Sequence, residues 1–147
     1  MSGAPAYVAA FEAQRPAVLA RLLEVRASLD HAFARQTDEE AHALFDGVLV
    51  GLRTLLVTGD HALHRGFVQS FIALRGAEGL APDHAQRVLV AIGDVIVQVA
   101  RRDRPDDTTL VLAVTSAIRL TARLVNEVIA DDLAKRRAQR RQTEAWR

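Results

Sequence analysis

The sequence predicts an all-α helical bundle that ends in a long C-terminal helix. Three observations carry that prediction. Apolar residues recur at three- and four-residue spacing in every segment. Capping residues stand where those periodic stretches begin and end. And one segment, Leu80 to Ala100 (LAPDHAQRVLVAIGDVIVQVA), is apolar on nearly every side. As a helix it must be covered on more than one face, so it is central or lies at a subunit interface.

In chain order, Tyr7 to Glu12 is a short opening element, and Pro16 marks a kink or a fresh first turn. The apolar series Val18, Leu19, Leu22, Leu23, Val25, Leu29 and Phe33 follows. Thr37-Asp38-Glu39-Glu40 reads as a capping box, with Thr37 at the N-cap and Glu40 reaching back from the third helical position. It opens a helix whose apolar side is Leu44, Phe45, Val48, Leu49, Leu52, Leu55 and Leu56. Gly59-Asp60 closes that helix and caps the next, in which Leu63, Phe67, Phe71 and Leu74 repeat at helical spacing. The Gly76 and Gly79 pair ends it.

Pro82 suits a first helical turn, where its missing N–H costs nothing, and Asp83 favours the positive end of the helix dipole. Asp103-Arg104-Pro105-Asp106-Asp107 is the next break. A final helix then runs from about Thr108 to Arg141, its stripe being Leu110, Val114, Ala117, Ile118, Thr121, Leu124, Val125, Val128, Ile129 and Leu133. Because the stripe stops there while helix-favouring residues continue, the last turns are expected to project from the body. The blocks VLVAI and LVLAV are β-branched enough for buried strands, but their length and caps favour helix.

A chain of 147 residues, half of them hydrophobic and a quarter charged, fits one folded domain. The absence of Cys excludes disulfides, thiolate metal sites and Cys nucleophiles, and fits a cytoplasmic location. The start of the chain lacks the pattern of a secretory signal, and no stretch looks long and apolar enough for a membrane span. The net charge of +1 hides a division: residues 135–147 carry +5 and residues 1–134 carry −4. The expected organisation is a helical domain over 1–134 and a basic helix end or tail over 135–147.

Few residues suggest chemistry. The five His (His31, His42, His61, His64, His84) are scattered. His61 and His64 lie at i, i+3 beside Asp60 and could begin a metal site or ligate haem, but the further ligands that zinc needs are missing. A first-turn His beside such a cap is ordinarily a solvated surface residue. The string His61-Ala62-Leu63-His64-Arg65-Gly66 is similar to a histidine-phosphotransfer motif, with the basic residue and the Gly one position late. Asp94 and Gln98 lie one turn apart in the most apolar helix, after Gly93. They read either as the polar lining of a ligand pocket or a register-setting pair, or as a strip of surface, with Gly93 permitting a close helix crossing.

The KRRAQRR run has no recognition motif beside it, so no nucleic-acid partner is expected. No catalytic residues, cofactor or metal are assigned. The excess apolar surface predicts a two-fold homodimer, with Val95, Val99, Val114, Ile118, Leu124 and Val125 as interface candidates, some shared with the core.

The segments FDGVLVGLRTLLVTGD and GLAPDHAQRVLVAIGDVIVQV, followed by a long last helix ending in polar residues, resemble the N-terminal sensory domain of RsbR-type stressosome proteins, the RsbT co-antagonists. The resemblance covers roughly residues 15–135. It implies a haem-free, globin-like fold, dimerisation, and a non-catalytic sensory role in bacterial stress signalling through an unidentified protein partner. In that family the last helix leads into a phosphorylatable STAS domain, which this sequence lacks. No family site residue can be placed on it. The alternatives are a small-molecule or haem-binding sensor and, third, a phosphotransfer-like bundle.

Overall fold

The computed structural model describes residues 5–77 and 81–146. They form five α-helices and one short 3₁₀ helix, with no strand among them: α1 (Ala6–Leu29), the 3₁₀ segment (His31–Arg35), α2 (Asp38–Thr58), α3 (His61–Ala77), α4 (Pro82–Asp103) and α5 (Thr108–Ala145). The all-α class and the long last helix stand. Gly79 and Leu80 fall outside the described residues.

The caps act as their chemistry dictates. The Thr37 hydroxyl accepts from the Glu40 amide at 3.1 Å, and Gly59 takes a left-handed φ of 63° to end α2. Asp60 then accepts from the Leu63 amide at 3.1 Å, and Asp107 from the Leu110 amide at 3.0 Å. Pro82 stands in the first turn of α4.

The N-terminal expectation needs correcting. α1 runs unbroken through Pro16, although that residue cannot donate to the Glu12 carbonyl. Val8 and Phe11 before it, and Val18 and Leu22 after it, are all buried in one core, so packing holds both halves in a single helix.

α5 is the spine, packing on each of the other four helices, while α4 packs on α1, α3 and α5. The all-round apolarity of α4 is thus met within the chain. Phe45, Leu22, Leu49, Leu52, Ile92 and Ile96 make up the centre of the core. Two glycines set close crossings. A Cβ on Gly51 would lie 2.7 Å from the Phe67 ring, and one on Gly93 would lie 2.6 Å from Ile118 Cγ1.

The proposed dimer residues go mostly to this intramolecular core. Val95, Val99, Val114, Leu124 and Val125 are each at most 5% exposed, and Ile118 fills the notch at Gly93. They have little surface left for a second copy. The last buried residue of α5 is Val125, with Val128 and Ile129 half-buried, and every residue from 130 to 146 is exposed. The apolar stripe therefore ends one turn before Leu133, which is 48% exposed. The helix continues to Ala145 rather than Arg141, a bare rod about 24 Å long. By length and composition α2 and α5 could each cross a membrane, contrary to the sequence expectation, although half of the α2 window is core here.

Candidate functional site

Five residues of α5, at positions 113, 116, 117, 120 and 123, recur at helical spacing and share one face. Three of them are small: Ala113, Ser116 and Ala117. Where a tightly packed helix would carry large side chains, these leave a trough. Leu55, Leu56 and Gly59 at the end of α2 border it, with His61 at the start of α3 and Tyr7 at the start of α1. The result is a solvent-open groove of about 640 Å³, within the usual range for small-molecule sites.

Its chemistry is two-sided. Leu55, Leu56, Ala117 and Leu120 supply apolar wall, while His61, Ser116, Arg119 and Arg123 supply polar groups, and no carboxylate of a described residue lines it. The Arg119 side chain makes no ion pair or hydrogen bond with any described residue. Arg123 is only loosely held: its Nε lies 3.9 Å from Glu127, which already accepts from Arg65 at 2.8 Å. Arg65 also pairs with Asp131, tying α3 to α5 where the rod leaves the body. The groove thus sets the unpaired Arg119 and the loosely paired Arg123 beside an apolar wall.

One turn beyond His61 lies His64, which is buried rather than solvated, at 2% exposure. The Thr121 hydroxyl donates to the Ala117 carbonyl at 2.7 Å, so its oxygen accepts from His64 Nε2–H, also at 2.7 Å. That places a proton on Nε2 and leaves Nδ1 buried without a partner among the described residues. Burial pushes the imidazole pKa below its ordinary 6.5, and the neighbouring His61 adds to the effect. His64 stacks on Phe67 with ring centroids 5.4 Å apart.

The α3 face is accordingly rotated from the expected one. His64, Val68 and Phe71 are buried, Phe67 is half-buried, and Leu63 and Leu74 are 51% and 58% exposed. The two His thus separate: His61 lines the groove and His64 belongs to the core. Asp94 and Gln98 are exposed and border a second groove of about 460 Å³ between α4 and α5, with Gly93, Arg101, Thr115 and Arg119. Among the described residues no three His, Asp or Glu side chains converge as metal ligands would.

Sequence reasoning missed Tyr7, Ser116, Arg119 and Arg123. A signal was present for the last two, which are the only cations between Thr108 and Leu133 and lie one turn apart. No protein-family model, curated protein or solved structure matches the chain.

Proposed function

We propose that this chain is a non-catalytic regulatory domain that takes a small molecule into the His61/Arg119/Arg123 groove and reports it to a protein partner through α5. The observation that carries this reading is the double use of one helix. Residues 113–123 of α5 form a wall of the groove, and residues 130–146 of the same helix stand bare of the body. A change in how the wall packs is transmitted along a continuous hydrogen-bonded rod to a surface that no described residue covers.

Binding rather than catalysis is favoured by the lining itself. Among the described residues it holds no carboxylate to orient His61 against Ser116, the third member on which a Ser–His nucleophile depends. The helix order, with a long exit helix, is also compatible with the RsbR-type, globin-like sensory domain that the sequence resembles, and a cytoplasmic stress-signalling role follows from that resemblance alone.

A photo-crosslinking residue placed at Ala138 tests the output surface directly in the host cell. The expected result is a discrete protein adduct from position 138 that is absent when the same residue replaces Ala73, an exposed position on α3. No discrete adduct from position 138, in cells where the chain is abundant, would overturn the reading.

A further inference from the structure

We propose that the groove binds an anionic amphiphile, specifically a medium-chain alkyl carboxylate, with its head on Arg119 and Arg123 and its tail along Leu55, Leu56, Ala117 and Leu120. This deepens the small-molecule reading above and rests on it.

Charge decides the head. The lining carries two guanidinium groups and His61 without a carboxylate among the described residues, so a cationic ligand would meet like charge at Arg119 and Arg123. A neutral apolar ligand would cover the wall but strip water from Arg119, which has no acidic partner among the described residues, and return nothing for it. A carboxylate offsets that desolvation with charge-assisted hydrogen bonds, and guanidinium matches its geometry two oxygens at a time. Polyanions fit less well, because residues 1–134 carry −4 and the groove concentrates only a few cations.

Shape decides the tail. The small residues Ala113, Ser116 and Ala117 line a trough along α5, with the leucines of α2 along its side. An unbranched chain can lie in such a trough and bury methylenes one after another. Each methylene removed from water tightens binding by up to about fourfold.

The test is titration calorimetry of the full chain with octanoate and decanoate below their micellar concentrations, with acetate and 1-octanol as head-only and neutral controls. Amide NMR shifts map the contact. The expected result is saturable binding of decanoate, up to about 15-fold tighter than octanoate. Acetate should not bind, 1-octanol should bind at least tenfold more weakly than octanoate, and the shifts should centre on His61, Ser116 and Leu120. Arg119→Gln with Arg123→Gln should weaken decanoate at least tenfold while its preference over octanoate survives. Arg137→Gln with Arg140→Gln on the bare rod should leave binding unchanged.

No saturable binding of decanoate, equal affinity for 1-octanol, or shifts centred on residues 135–146 would overturn the proposal. Its failure is separable from that of the regulatory reading. A discrete adduct at position 138 without decanoate binding would remove only the ligand class. Decanoate binding without that adduct would leave the ligand class standing and remove the output.

Discussion

An imidazole held between Phe67 and Thr121 titrates against its surroundings, because protonation would put a charge on a buried ring whose Nδ1 has no partner. Below about pH 6.5 the unfolded chain takes up a proton that the folded chain resists, since the pKa of His64 is lowered in the fold. Its contribution to stability is therefore complete above about 6.5 and is lost as the pH falls toward the folded-state value. Thermal melts at about pH 7.5 and about pH 5 should show a fall in Tm that is smaller in His64→Leu; identical pH dependence in both proteins would contradict this. Thr121→Val leaves the Nε2–H without an acceptor and should cost about 1–3 kcal/mol at neutral pH, read by chemical denaturation. The close crossings give a matched pair of tests. Gly47 has open space at its Cβ position, so Gly47→Ala should stabilise by about 0.5–1 kcal/mol through helix propensity. Gly93→Ala meets three atoms of Ile118 within 2.8 Å, and that β-branched side chain cannot swing clear. The clash should win and destabilise by about 1–3 kcal/mol.

At the scale of elements, what was legible depended on whether the determining chemistry is local. Thr37, Gly59, Asp60 and Pro82 each act within a few residues of themselves, so helix ends could be read directly. The face of α3 could not, because it depends on partners far along the chain. Phe67 seats at Gly51, and His64 finds Thr121, so the helix is turned to bury His64 where apolar spacing alone places Leu63. Pro16 shows the same override, local preference yielding to a core that spans both sides of it. The groove was the least legible feature because four helices contribute to it and its defining property is small side chains, which leave no periodic signal. The bare end of α5 was foreseen from the end of the apolar stripe, although the stripe ends a turn early. Because every described residue from 137 to 146 is exposed, deleting residues 137–147 should leave the Tm of the body within about 2 °C. A larger fall by calorimetry would mean that the rod packs onto the body.

For the molecule as a whole, α5 joins a core, a groove and a projecting surface in one continuous element. The residues proposed for a dimer face belong to that core, which makes a sharp expectation. Val99→Asp and Val125→Asp each bury an unpaired charge and should unfold the chain rather than yield folded, smaller species by light scattering with circular dichroism. Folded variants of reduced mass would instead place these residues at an interface between copies. The most direct test of the central claim, that α5 is at once groove wall and output rod, is residue-resolved amide hydrogen exchange along Thr108–Ala145 with and without decanoate. Without ligand, protection should be high through Ile129 and fall away beyond Leu133. With ligand, it should rise over residues 113–123 and also over the first turns past Leu133, because steadying the wall reduces fraying of a marginal helix end. Uniform protection to Ala145 without ligand, or a gain confined to the groove with no change past Leu133, would contradict it.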